Sequence, residues 1–292
     1  MTRPAAPEVP VVVRRPARPP AAVVVDSPHS GFGFPVDFVP TAPLAALRTT
    51  WDAHVDALWA GAPTVGATLL AATFPRCYID VNRAETDVDA ALLSDPWEGP
   101  LAPTDYSARG MGLIRRDALP GVPLYEAPLS TAAVRTRLER WYRPYRAALA
   151  EALAEGQRAH GTVWHLNCHS MKSRGNAMNV DAGAARPDVV VSDRHGTTAD
   201  AALTARIAAW FTARGYRTQV NDPYQGGDLV RTFGRPADGV HSVQIELNRA
   251  RYMDETTCEP HAGFAALRDD LTALVAALVA WRTESSVTRA TP

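Results

Sequence analysis

Two histidines sit in similar settings far apart in the chain, His29 in Pro28-His29-Ser30-Gly31 and His169 in Cys168-His169-Ser170. Each follows a short apolar run, so each is expected just past the end of a strand, where a loop can aim an imidazole. Two imidazoles and one carboxylate leave a zinc ion with an open position for water. Such a site brings bound water to a pKa of about 7 and polarises a carbonyl, which suits amide hydrolysis. No HExxH or HxxE motif supplies the carboxylate, because Phe32 stands three residues after His29. Asp52, beside the apolar stripe of an expected helix, is the first choice of ligand, with Asp80 and Glu246 in reserve. The plainer alternatives are histidines that bond only loop backbone and an Asp52 solvated on a helix surface.

Glu246 lies inside the apolar run Val243-Gln244-Ile245-Glu246-Leu247, and a buried carboxylate is costly without a partner or a purpose. It could serve as the general base for a metal-activated water, or as the buried partner of Arg249. Arg76, Arg83 and Arg231 are candidates for holding an anionic substrate, since a guanidinium grips a carboxylate at two points. Asn82 could share that binding with Arg83. A Cys168–His169 hydrolase is poor in geometry, because neighbours in an extended chain point to opposite faces. Ser30 and Ser170 lack the Gly-x-Ser-x-Gly elbow, and Gly226-Gly227 lacks the rest of a phosphate loop, so a tight turn is expected there.

The elements that must position these groups alternate. Strands are expected at 22–25, 68–72, 77–79, 162–166, 188–191, 216–220 and 242–247, and helices at 43–59, 132–158, 200–213 and 262–281. Residues 84–128, rich in Pro, Gly and Asp, read as a long irregular insertion. Alternating strands and helices imply an α/β sandwich of three layers around a mixed, largely parallel sheet. In such sheets ligands bind beyond the carboxyl ends of the strands. His29, Asp80, His169, Asp193, Asn221 and Glu246 each end an apolar run and can converge there.

The chain has 292 residues, with 30 Lys plus Arg against 31 Asp plus Glu and a formal charge of -1. That balance lacks the positive field of a nucleic-acid binder. No run reaches the roughly 20 apolar residues of a membrane span. Three scattered cysteines without a CxxC pair fit a reducing compartment, and a cytoplasmic location is expected. Residues 1–20, rich in Pro and Arg, are expected to be a flexible leader, 21–285 a single catalytic domain, and 286–292 a tail.

The motif set resembles the N-formylglutamate amidohydrolases, or N-formylglutamate deformylases. The stretches that carry the resemblance are Asp26-Ser27-Pro28-His29-Ser30-Gly31, Trp51-Asp52-Ala53-His54-Val55-Asp56, Tyr78-Ile79-Asp80-Val81-Asn82-Arg83, Cys168-His169-Ser170-Met171, 221–227, and Gln244-Ile245-Glu246-Leu247-Asn248-Arg249 with Tyr252-Met253. They run in order through most of the chain. The resemblance implies a fold similar to zinc carboxypeptidases and aspartoacylase, with one zinc ion per chain held by His29, Asp52 and His169. It implies Glu246 as general base, and Arg76, one of the arginine candidates above, is expected near the oxyanion. Asn82, Arg83, Arg231 and Tyr252 would contact a small anionic N-acyl amino acid, and Asp80 and Asn248 would support the site. The expected reaction is cleavage of N-formyl-L-glutamate to formate and glutamate, as in histidine degradation. Related expectations are an amidase for another N-acyl or N-formimidoyl amino acid, or a catalytically silent binding homologue.

Overall fold

The computed structural model describes residues 4–289, with side-chain surroundings as far as Arg282. In chain order the strands are β1 (Val11–Arg14), β2 (Val23–Ser27), β3 (Thr68–Ala72), β4 (Asp117–Leu119), β5 (Val122–Pro123), β6 (Val163–Met171), β7 (Val189–Ser192), β8 (Thr218–Val220) and β9 (Val240–Asn248). The helices are α1 (Leu44–Arg48), α2 (Val55–Leu58), α3 (Asp105–Ala108), α4 (Thr131–Arg137), α5 (Arg143–His160), α6 (Ala201–Thr212), α7 (Asp228–Phe233) and α8 (Gly263–Arg289). Seven strands form one sheet in the order β1-β3-β2-β6-β9-β7-β8, and β4 pairs with β5. Neighbours β3, β2, β6 and β9 are parallel, β8 is parallel to β7, and β1 and β7 run antiparallel to β3 and β9. The architecture is a mixed α/β fold with a largely parallel sheet flanked by helices.

Strand periodicity sorts the side chains. Trp164, Leu166 and Cys168 of β6 join Val243 and Ile245 of β9 in a core closed by α2, α6 and α8. The alternate positions face the other way, where Val24, Val163 and Val240 pack with α4 and α5. Within that second face runs a buried polar line. Tyr145 of α5 donates to Asp26 Oδ2 at 2.7 Å, Asn167 Nδ2 donates to Asp26 Oδ1 at 2.8 Å, and His165 Nε2 lies 2.7 Å from the same oxygen. His165 Nδ1 meets Ser242 Oγ at 2.6 Å. Buried polar groups need such pairing, and here the partners come from β2, β6, β9 and α5.

The structure departs from the sequence expectations at five places. The helix expected over 43–59 is two short helices with a break between them. Thr49 and Thr50 turn their hydroxyls back to Ala46 O and Leu47 O, and the Asp52 amide leaves the helix to bond His29 O at 3.1 Å. Residues 77–79 form a buried turn rather than a strand. The Tyr78 carbonyl is taken by Arg137 at 2.9 Å and the Asp80 amide by Leu113 O at 2.9 Å, leaving no ladder to join. Val11–Arg14, expected in a flexible leader, is the edge strand β1. β6 continues through His169 to Met171, so that histidine sits within a strand rather than in a loop. Finally, α8 continues past residue 285 to Arg289, and the remainder of the expected tail, 290–292, lies outside the described residues. The insertion is largely irregular, carrying α3 and the β4–β5 hairpin. No described helix is long and apolar enough to cross a membrane.

Candidate metal centre

β2 ends at Ser27, and the turn that follows brings His29 over the sheet edge, where it is buried. Its Nε2 lies 2.7 Å from Asp80 Oδ1. Asp80 also accepts from the Asn82 amide at 2.9 Å and from Arg76 Nη2 at 2.7 Å. A carboxylate partner assigns the proton to Nε2, so His29 Nδ1 presents a lone pair. That nitrogen is buried without a hydrogen-bond partner and lies 3.4 Å from Asp52 Oδ2.

His169 repeats the arrangement from β6. Its Nε2 lies 2.8 Å from Asn167 Oδ1, two residues back on the same strand face. An amide oxygen can only accept, so this shorter bond favours the proton on Nε2, against the Asn82 side-chain amide nitrogen that lies 3.1 Å from the same atom. Asn167 in turn donates to Asp26, which joins the polar line on that face to the ring. His169 Nδ1 then points at Asp52 Oδ2, 3.1 Å away. One ligand atom each from His29, Asp52 and His169 lies within 4.8 Å of the others. Two imidazole lone pairs and a carboxylate oxygen turned toward one point form a donor set suited to a cation, with the outer nitrogens oriented by hydrogen bonds.

Charge is arranged to keep the acids ionised. Burial alone would raise Asp52, but the adjoining His169 and His29 rings and the charge of Arg249, at 2.8 Å, take it well below the usual carboxylate range. Burial opposes ionisation of Asp80 too, and Arg76, His29 and Arg83 outweigh it. Glu246 moves the other way. Burial raises it and Asp52 adds to the rise, against the pull of His169, Arg76 and Arg186. It stands directly opposite His169 in the β6–β9 pairing, and Gln244 Nε2 donates to it at 3.0 Å. A carboxyl group shifted upward beside this cluster takes up a proton more readily than a free carboxylate, which suits it to proton transfer.

A cavity of about 110 Å³ is lined by His29, His169, Glu246, Arg76, Asn82 and Arg83, among others. Asn82 Oδ1 accepts from the Leu229 amide at 2.8 Å, tying the cavity wall to the start of α7. Arg83 donates to Met111 O and Asn82 O at 3.0 and 2.9 Å and lies over the Tyr106 ring at 3.8 Å; none of these hydrogen bonds uses Nη2. Three residues expected near the site lie elsewhere. Arg231 is exposed on α7 and paired with Asp228. Tyr252 is fully buried and donates to Ala53 O at 2.9 Å, bracing the Asp52 segment from behind. Asn248 caps the turn after β9 and donates to Pro187 O at 3.0 Å. Asp193 and Asn221, which also end apolar runs, bond each other away from the cavity. Cys168 points into the opposite core, where burial pushes its thiol up.

Sequence reasoning missed Asn167 and Asp26, and gave Arg249 to Glu246 where the structure gives it to Asp52. A signal was present: His165, Asn167 and His169 alternate through an otherwise apolar strand, which puts three polar groups on one buried face.

Fold and site define a hydrolase of mixed α/β architecture with a cleft at the carboxyl ends of parallel strands and a His–Asp–His group at its floor. The sequence pattern of the N-formylglutamate amidohydrolase family matches residues 21–253. The N-formylglutamate deformylase of Pseudomonas aeruginosa is 32% identical over 248 residues, 82% of this chain and 85% of that protein. That of Pseudomonas putida is 28% identical over 275 residues, 90% of this chain and 94% of that protein. A crystal structure of N-formylglutamate amidohydrolase from Ralstonia eutropha JMP134 superposes with a TM-score of 0.91 at 42% identity, covering 95% of this chain and 99% of that one. The chain belongs to the N-formylglutamate amidohydrolase family.

Proposed function

We propose that the protein is a zinc-dependent amidohydrolase that cleaves N-formyl-L-glutamate to formate and L-glutamate, a step of histidine degradation. The observation that carries the metal assignment is the orphaned, buried Nδ1 of His29 facing Asp52 and the equally oriented Nδ1 of His169. An N,N,O donor set of this kind fits zinc, and the reading includes kinship of the fold with zinc carboxypeptidases. Bound by His29, Asp52 and His169, zinc would acidify water and polarise the formyl carbonyl.

The chain's own residues supply the rest. Glu246 takes a proton from the attacking water and returns it to the leaving amine nitrogen. Arg76, fixed by Asp80, offers positive charge to the oxygen on which negative charge develops. Arg83 Nη2, with Asn82 beside it, holds one substrate carboxylate. Arg231 and Tyr252, directed away from the cavity, have no part in this reading. Supporting Glu246 in its role is its register opposite His169 together with its upward shift.

The test is metal analysis of the purified protein followed by formate release from N-formyl-L-glutamate, N-formyl-L-aspartate and N-acetyl-L-aspartate. Stoichiometric zinc with preference for the first substrate supports the reading. A protein that binds zinc but prefers another acyl amino acid would replace the substrate, and one that binds no metal would overturn the mechanism.

A further inference from the structure

The insertion at 84–128 brings one side chain to the cavity that nothing above employs. Arg115 is buried, with 7% of its surface exposed, and its Nε has no hydrogen-bond partner. Among the described residues no carboxylate lies within ion-pair distance of it. The contrast with its neighbours is sharp. Arg76 is paired with Asp80 at 2.7 Å, Arg186 with Asp181 at 2.7 Å, and Arg249 with Asp52 at 2.8 Å. Burying a guanidinium without a counter-charge is expensive, and proteins ordinarily avoid it.

A second cation shares the predicament. Lys172, the single lysine of the chain, follows β6 directly, is partly buried, and has no carboxylate at ion-pair distance among the described residues. Burial first, then the nearby charges of Arg249 and Arg115, pushes its ammonium down to about 8. Burial first, then Arg76, pushes Arg115 down to about 9. Both directions describe crowded positive charge that Asp80, acting on Arg115, and Glu255, acting on Lys172, offset only in part. The two side chains line a cavity of about 90 Å³ that shares Arg76, Arg115, Ser170 and Tyr224 as a wall with the cavity of the metal-ligand group.

We infer that Arg115 and Lys172 form a second anion subsite, which receives the side-chain carboxylate of a dicarboxylic N-acyl amino acid whose scissile amide lies at the His29–Asp52–His169 group. The inference rests on the hydrolase reading above and supplies what that reading leaves open: Arg83 accounts for one carboxylate, and exposed Arg231 does not reach the other. It also gives the insertion a task. Arg83 at its base bonds Met111 O within it, and Arg115 projects from it, so the insertion sets substrate charge from both of its sides.

The experiment uses zinc-loaded protein and the variants Lys172→Met and Arg115→Gln. Initial rates are measured with N-formyl-L-glutamate and with its neutral isostere N-formyl-L-glutamine, and glutarate binding is measured by calorimetry. Each variant is expected to reduce the preference for the charged substrate on the order of 100-fold, mainly through KM, and to weaken glutarate binding by a similar factor. Lys172 is partly exposed, so its variant keeps the test sound if Arg115→Gln fails to fold. Unaltered preference and unaltered glutarate binding in folded variants would overturn the subsite. If the wild-type protein hydrolyses neither substrate but binds glutarate through both residues, the subsite stands and the hydrolase reading falls.

Discussion

Glu246 and Arg83 illustrate how neighbouring groups acquire different tasks from their surroundings. Glu246→Gln keeps size and hydrogen bonding but removes the proton acceptor, and it is expected to lower kcat by about 10²–10⁴-fold with zinc content intact. Steady-state rates alongside metal analysis check this, and full turnover with zinc present would remove Glu246 as the base. Arg83→Ala removes the proposed substrate contact and is expected to raise KM with a small effect on kcat. A selective fall in kcat would reassign that arginine to the reaction itself. Asn167 does not line the cavity, yet its amide oxygen makes the shorter bond to His169 Nε2 and favours the proton there. Asn167→Ala is therefore expected to weaken zinc binding about 10–100-fold, as measured by competition with a chelating dye. Zinc affinity equal to the parent's would show that His169 orients itself.

At the level of elements, the site depends on breaks in regular structure as much as on the strands. The interruption between α1 and α2 lets the Asp52 amide bond His29 O, which brings two of the proposed ligands from separate segments into contact. Arg249, just beyond β9, holds the far oxygen of Asp52. Gly227, at the start of α7, is required for close approach rather than for backbone freedom, because a methyl group there would overlap the Asn82 amide. Gly227→Ala is expected to push Asn82 from the cavity wall and cost about 1–3 kcal/mol of stability, with a raised KM. Denaturant unfolding and substrate kinetics read both effects. A variant with parental stability and KM would mean that the wall yields without cost.

Across the whole molecule, the polar line and the ligand cluster make stability depend on pH. For Asp26, burial opposes ionisation, and His165, Asn167 and Tyr145 more than compensate, so its pKa is lowered in the folded state. Asp52 and Asp80 shift the same way. Acids with lowered folded pKa values stabilise fully above their unfolded value, about 3.9, and lose that contribution as pH falls through the folded values. Glu246 and Asp56, shifted upward, favour folding on protonation and offset part of the loss. Stability is thus expected to hold between about pH 5 and 7 and to fall below about pH 4. Urea unfolding at stepped pH checks this, and a loss centred above pH 5 would show that other groups control the transition.

The sequence by itself determined the alternation of strands and helices and, through short motifs at the ends of apolar runs, the identities of His29, Asp52 and His169 as a possible ligand set. Those features are local: periodicity and residue type suffice to read them. Only the tertiary structure decided which groups meet. A period-based reading extended one helix through Asp52 and made a strand of residues 77–79, because it cannot register that a backbone amide finds a better partner in a distant loop. Nor could it separate Arg115 from the other arginines. What distinguishes that side chain is burial without a counter-charge, a property that arises when the insertion folds over the sheet and encloses it.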